Sequence, residues 1–414
     1  MRPRFHAIAE GGKLWAIIEY DIAAAGFRTR GRSGRANLFG NRFIVDFLIP
    51  GTSLRFRFGR TDWIGPQKEL MGSFVGLSRL DGYGLYGKLT GPISISLFNT
   101  KYNESNNSDT VNAATGVEAA DSDYYHLRLS YKVSPALTIE PFTYFDHTNP
   151  TGAANAAGAG AYSIWWYGLH VKGKVGMLTY SASFNVQDGE IGYSRGANRP
   201  DLDVSAWASL VRIWATFGKF KLGFYYIGTS GDDSTTSADG NEGRRKNNEL
   251  TRFFTHRKGV GGWVNGPQLV TMRRWNTIGM STRGTRTATG NGGVTGNGYQ
   301  IAEILGKYAV TKRLNLQGNV SLIRSSAKRQ DIDANFDGDT NDAGDSTYSN
   351  AKDFATEIDL AFVYKIYKNL SLTGVFAYQF SGDYGQQATS AGAVVNPRDP
   401  DDIWALYAML RYIF

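Results

Sequence analysis

The final strand-like stretch, Leu406-Tyr407-Ala408-Met409-Leu410-Arg411-Tyr412-Ile413-Phe414, constrains the fold more than any other part of the chain. Successive side chains of a strand point to opposite faces. Trp404, Leu406, Ala408, Leu410, Tyr412 and Phe414 therefore share one face, and Arg411 lies on the other. A charged side chain is expensive in lipid. A strand with one apolar and one charged face suits a barrel wall, with lipid outside and a polar lumen inside.

The same alternation recurs upstream. Asn315, Gln317, Asn319 and Ser321 oppose Leu314, Leu316, Val320 and Leu322, and Glu357, Asp359 and Lys365 oppose Ile358, Leu360, Phe362 and Tyr364. Thr179, Ser181, Ser183 and Asn185 likewise oppose Leu178, Tyr180, Ala182, Phe184 and Val186. Alternation alone also suits a soluble two-layer sheet, so composition has to decide. Mean hydropathy is -0.32, and no apolar run approaches the roughly 18 residues of a spanning helix. With 50 Gly, 23 Tyr and 23 Phe in 414 residues, the chain reads as a membrane barrel. The absence of Cys excludes disulfides, thiolate metal sites and c-type haem attachment.

Turn chemistry sets the strand count. Short turns are predicted at Pro50-Gly51, Gly91-Pro92, Ser134-Pro135, Gly173-Lys174, Gly218-Lys219, Thr311-Lys312 and Tyr367-Lys368. Long polar loops are predicted at about 22–41, 61–78, 102–122, 147–160, 188–201, 231–298, 327–352 and 382–401. The alternation gives one domain over 1–414: a transmembrane antiparallel β-barrel of sixteen strands, with short periplasmic turns and long extracellular loops. A hairpin hidden at Leu269-Val270-Thr271-Met272 would make eighteen. Loop 231–298 carries Phe253-Phe254, Trp263 and Arg273-Arg274-Trp275. Exposed bulky aromatics would be a liability, so this loop is expected to fold into the lumen.

Lumen parity selects the candidate pore lining. Leu54, Phe56 and Phe58 take the lipid side, so Arg55 and Arg57 point inward, with Arg60 at the rim. Lys88, Arg128, Arg212, Lys221, Lys307 and Arg411 are placed on the same inner wall, against Glu19, Asp46, Glu140, Glu303, Glu357 and Asp359. Such charges either pair across strands and fix the lumen shape, or form a transverse field that steers anions through a constriction. The net charge of +8 fits an anion preference, and also contact with lipopolysaccharide phosphates, which the basic loop Arg28–Arg35 would make. No aromatic platform accompanies that basic loop, so nucleic acid is not an expected partner.

Asp333-Ala334-Asn335-Phe336-Asp337-Gly338 matches the first half of a calcium loop, in which alternate oxygens wrap a hard cation around a sharp glycine turn. Asp333, Asn335, Asp337, Asp339 and Asp342 are the candidate ligands for Ca2+, although Gly344 occupies the position of the usual bidentate Glu. No other cofactor is expected. His6, His126, His147, His170 and His256 lack metal-ligand spacing and read as aqueous wall or loop residues. No G-x-S-x-G elbow, H-E-x-x-H or phosphate loop occurs, so an enzyme is not expected.

Two further readings rest on resemblance. The terminal Phe414 resembles the end signature of bacterial outer-membrane proteins. The stretch Asp353–Leu360 through Tyr364, Leu370, Leu372 and Phe380-Ser381-Gly382-Asp383-Tyr384 resembles the closing region of alginate-export-type outer-membrane barrels. Phe58-Gly59-Arg60 and Arg79-Leu80-Asp81-Gly82 do so as well. That family implies an outer-membrane pore, either a general porin or an exporter of an anionic polysaccharide, as a monomer or a homotrimer. Met1-Arg2-Pro3-Arg4 runs into Phe5 with no cleavable apolar core, so the chain is expected to be the mature form. The function expected is passive diffusion of small polar solutes across the bacterial outer membrane. The rivals are an acidic-polysaccharide exporter and a non-conducting barrel that anchors the envelope or sheathes a partner.

Overall fold

The computed structural model describes residues 4–23, 37–63, 78–104, 121–149, 162–192, 202–231, 249–251, 253, 298–327, 346–348, 352–383, 387–390, 393–394 and 402–412. Twenty-one strands are described. They are β1 (Arg4–Ala9), β2 (Leu14–Ala23), β3 (Asn37–Leu48), β4 (Leu54–Trp63), β5 (Ser78–Thr90), β6 (Ile93–Glu104), β7 (Asp121–Ser134), β8 (Leu137–Asn149), β9 (Tyr162–Val175) and β10 (Leu178–Ile191). The chain continues with β11 (Leu202–Phe217), β12 (Phe220–Thr229), β13 (Glu249–Leu250), β14 (Tyr299–Ala309), β15 (Leu314–Ser325), β16 (Ser346–Tyr348), β17 (Asp353–Tyr367), β18 (Leu370–Ser381), β19 (Gln387–Ser390), β20 (Ala393–Val394) and β21 (Ile403–Tyr412).

Seventeen of these form one antiparallel meander, each strand hydrogen-bonded to the next along the chain. The two-residue β13 adds to the same sheet by lying parallel to β11. β16, β19 and β20 make a separate three-stranded sheet that joins the last two long connections. Six of the seven predicted short turns fall where expected. The seventh does not: β9 runs through Gly173-Lys174 to Val175, and the chain reverses at Gly176-Met177. Gly176 has φ +55, a left-handed conformation that glycine adopts without steric penalty, and Gly173 does not.

The count also differs from sixteen. One strand was expected ahead of the first long loop, and the structure has two, because Glu10–Gly12 forms a tight turn between β1 and β2. Gly11 and Gly12 both take positive φ there, which ends the alternation that runs through Phe5–Ile8. β1 and β21 run in the same direction, and among the described residues no ladder joins them. The additional hairpin considered at Leu269–Met272 lies outside the described residues.

The outer face is built in layers. Cross-strand partners Arg60, Asp81, Lys101, Asp123, His147 and Ser163 make one polar row over β4 to β9. The next row inward is Phe58, Tyr83, Asn99, Tyr125, Phe145 and Trp165. Its rings stack, with Phe145 and Trp165 centroids 4.4 Å apart. Leu85, Leu97 and Leu127 follow below. At the other end of the strands, Tyr131, Phe217, Phe220, Tyr308, Tyr367 and Tyr412 are exposed. An apolar band between two aromatic girdles is the exterior of a membrane barrel. On β7 the outward apolar residues run from Tyr125 to Val133; eight steps of about 3.3 Å on a strand tilted about 40° give roughly 20 Å, near the height of a barrel's apolar band. Leu316, Val320, Leu360, Phe362, Phe376 and Leu410 all lie exposed on this outer face, as their parity requires.

Candidate pore lining

Inner-face parity holds for the predicted lining. Arg55 and Arg57 pair in register with Leu48 and Asp46 of β3 and with Tyr86 and Gly84 of β5. The two arginines are fastened rather than loose. Asp46, fully buried, accepts from Arg55 Nε at 2.5 Å, Arg57 Nε at 2.8 Å and the Tyr86 hydroxyl at 2.5 Å. Arg55 also donates to the carbonyls of Gly12 and Lys13 at 3.1 and 3.3 Å, which ties the β1–β2 turn to the wall. Arg57 donates to the Tyr86 hydroxyl at 2.8 Å and lies over the rings of Tyr86 and Trp15, at 4.7 and 5.2 Å. Both arginine side chains keep about a fifth of their surface exposed (22%). One carboxylate between two guanidiniums leaves this knot one positive charge in excess.

Arg60 belongs elsewhere. It is at the rim, as expected, but Gly59 and Arg60 pair with Ile44 and Phe43, which puts Arg60 on the outer parity. There it forms a two-point pair with Asp81, at 3.0 and 2.5 Å. Such fork-to-fork geometry fixes strand register as well as charge.

A second group lies on β11 to β18. Arg212 and Lys307 both approach the ring of Trp214, at 5.7 and 5.0 Å, and Arg212 also lies 5.5 Å from the Tyr225 ring. Register then runs Arg212, Tyr225, Glu303, Ser321, Glu357 and Gln379 across consecutive strands. The adjacent row places Asn319 against Asp359, and Asn319 Nδ2 donates to an Asp359 carboxylate oxygen at 2.8 Å. Glu303, Glu357 and Asp359 are fully buried. Basic side chains therefore occur on the inner wall from β4 to β14, and these three carboxylates gather on β14 and β17.

The remaining predicted residues are dispersed. Arg128 pairs with Ser96 and Phe142. Lys88 pairs with Ser94 beside a bulge, and Arg411 pairs with Ser371 on the last ladder. Glu140 is a local hub: Ser130 donates to it at 2.9 Å, and Lys172 lies 3.6 Å from it. His126 and His170 are not aqueous wall residues, because both are buried; His126 packs on Tyr144 with ring centroids 4.6 Å apart. The calcium-loop candidates Asp333, Asn335, Asp337, Asp339 and Asp342 lie outside the described residues. Of loop 231–298, Phe253 is described: it is buried in an inner cluster with Trp166, Val204, Leu210 and Ile301, and its N–H donates to Ser230 at 3.3 Å.

Sequence reasoning missed the aromatic residues of this wall. Tyr86, Phe98, Tyr124, Phe142, Tyr144, Trp166, Trp214 and Tyr225 all sit at inner positions, where a polar-inside rule expects small polar groups. The signal was available on two strands, where Tyr124 shares the parity of Arg128 and Trp214 that of Arg212.

No protein-family model matches the chain, and no curated protein does. Among solved structures it is similar to OccK3 (OpdO) of Pseudomonas aeruginosa, at 13% identity and a TM-score of 0.47, covering 99% of this chain and 90% of that one. It is similar to OccK8 (OprE) of the same species, at 13% identity and 0.45, covering 96% and 87%. A BenF-like porin from Pseudomonas fluorescens Pf-5 is 11% identical at 0.44, covering 97% and 86%. The barrel assignment rests on the strand ladder and the layered exterior, not on these likenesses. Nothing among them supports the alginate-export resemblance.

Proposed function

We propose that the chain is a porin of the bacterial outer membrane, a passive diffusion channel for small polar solutes with a preference for anions. The observation that carries this reading is the inner face itself. It bears Arg55, Arg57, Arg128, Arg212 and Lys307 on one stretch of wall and Glu303, Glu357 and Asp359 on the next. The outer face meanwhile is apolar between aromatic girdles. Cations and carboxylates on one inner wall, with Glu303, Glu357 and Asp359 gathered on β14 and β17, set up a field across a bore, which orients dipolar solutes and biases permeation without covalent chemistry or energy input. The net charge of +8 is in keeping with an anion preference.

Most of loop 231–298, expected to fold into the lumen, lies outside the described residues; its Phe253 is buried among inner-face residues. Calcium binding by Asp333, Asn335, Asp337, Asp339 and Asp342 remains a proposal on the D-x-N-x-D-G pattern. The deciding experiment is single-channel recording of the purified chain in a planar bilayer with a salt gradient. Discrete steps with a reversal potential on the anion side are expected. A chain that inserts without conductance would instead be a structural barrel.

A further inference from the structure

Three inner-face glycines stand directly opposite aromatic residues of the neighbouring strand: Gly84 opposite Phe98, Gly168 opposite Phe142, and Gly223 opposite Trp214. In each pair the ring occupies the space that a side chain on the glycine would need. A Cβ on Gly84 would meet the Phe98 ring, and one on Gly168 would meet the Phe142 ring at 2.6 and 2.7 Å. A Cβ on Gly223 would come within 2.8 Å of Trp214 Cζ3 and 2.9 Å of Leu305 Cδ2. Real Cβ contacts do not occur at such separations, so the rings lie against the wall only because the opposite residue is glycine. An aromatic covering a cross-strand glycine is a known way to stabilise a sheet. Here it also decides how far the ring stands off the sheet, within an inner layer where Phe142 and Trp214 are buried.

A second layer rests on these rings. Tyr144 meets Phe142 edge-on with centroids 5.2 Å apart, and Tyr225 meets Trp214 edge-on at 5.9 Å. Arg212 and Lys307 lie over Trp214 itself. Glycine thus fixes the depth of the ring, and the ring fixes the groups above it. The geometry points to Gly84, Gly168 and Gly223 as positioning residues that set the bore, with Gly223 also setting how far Arg212 and Lys307 project. This rests on the channel reading and adds to it a means by which the buried aromatics of the inner layer are held at a fixed depth.

The outer face supplies a built-in control. Gly374 is opposed by Phe362 in the same way, a Cβ there meeting the Phe362 ring at 2.8 Å, but Phe362 is exposed on the lipid side. Filling Gly374 strains the wall equally and leaves the lumen alone. The test is single-channel recording of the full chain carrying Gly168→Ala, Gly223→Ala or Gly374→Ala, each first checked for folded-form mobility on a gel. Gly168→Ala and Gly223→Ala should lose conductance, Gly223→Ala should also shift the reversal potential, and Gly374→Ala should match the parent. Adding Phe142→Ala to Gly168→Ala should restore the step. Where a glycine variant does not assemble, Phe142→Leu and Trp214→Leu make the converse test, a larger step for each. Parental conductance in assembled Gly168→Ala and Gly223→Ala overturns the inference, as does an equal loss in Gly374→Ala. A parent that never conducts overturns the channel reading first, and this inference with it.

Discussion

Two clusters of inner-wall cations are held in different ways. On β3 to β5, Arg55 and Arg57 are bound to one fully buried carboxylate, a tyrosine hydroxyl and two backbone carbonyls. On β11 to β14, Arg212 and Lys307 are placed over the Trp214 ring. The first arrangement offsets charge and fastens a turn; the second sets two cations against one aromatic face, which attracts them through the ring quadrupole. A charge on a pore wall can therefore serve the wall or the pore, and parity does not distinguish the two. The knot on β3 to β5 fastens the wall by ion pairs, and the pair on β11 to β14 is held against an aromatic face.

The strongest test of that contrast removes the shared carboxylate. Asp46→Ala would leave two guanidiniums facing each other without their acceptor. Removing one partner of a buried pair costs about 3–5 kcal/mol. Refolding into lipid vesicles, followed by urea titration, should show a loss of that order. Replacing Trp214 by Leu should cost less in stability while changing conductance. Equal stability of Asp46→Ala and the parent would mean that the knot is not structural.

Facing can be tested next, at similar or smaller cost. Charges on the lipid face cost about 2–4 kcal/mol at mid-depth. Leu360→Arg should therefore impair assembly more than Glu357→Arg, since Leu360 is exposed outward and Glu357 pairs with Ser321 and Gln379 inside. Equal assembly of the two variants would reverse the assignment of faces on β17.

Selectivity sharpens the comparison further. Guanidinium cannot be titrated away, so charge is removed by substitution. In a salt gradient, Arg212→Gln with Lys307→Gln should move the reversal potential toward the cation side. Arg55→Gln with Arg57→Gln should also move it, by the one charge that Asp46 does not offset. A larger shift from the β4 pair would place the constriction beside the knot.

Most of the fold could be read from period-two alternation and turn residues. Both are local, and the barrel repeats one local rule. The misplaced turn at Gly173-Lys174 and the uncounted β1 share a cause: several glycines lie close together, and only the tertiary ladder decides which take positive φ. The candidate inner wall was half legible. Parity put Arg55, Arg57, Arg212, Glu357 and Asp359 on the inner wall. It could not reveal that Asp46 binds both β4 arginines, or that Arg212 and Lys307 both lie over the Trp214 ring. Those are cross-strand relations, fixed by register between segments that alternation treats independently.

The smallest expected effect lies in the last two long connections. The acidic run Asp333–Asp345 directly precedes β16, and β16 pairs with β19 of the last long connection. A cation held by Asp333, Asn335 and Asp337 would order chain that leads into this small sheet. Binding to the folded form stabilises it by mass action, and only to the extent that calcium exceeds its dissociation constant. With Gly344 where a bidentate Glu would complete the site, that constant should fall in the weak range of extracellular modules, about 10⁻⁴–10⁻³ M. Limited proteolysis should therefore slow at millimolar calcium and be unaffected at micromolar. Because the two connections share a sheet, protection should extend from 333–345 to cleavage sites around 382–401, and Asp337→Asn should abolish both. Calcium-independent nicking would leave this run an acidic loop with no cation, and would leave the contrast between the two arginine clusters untouched.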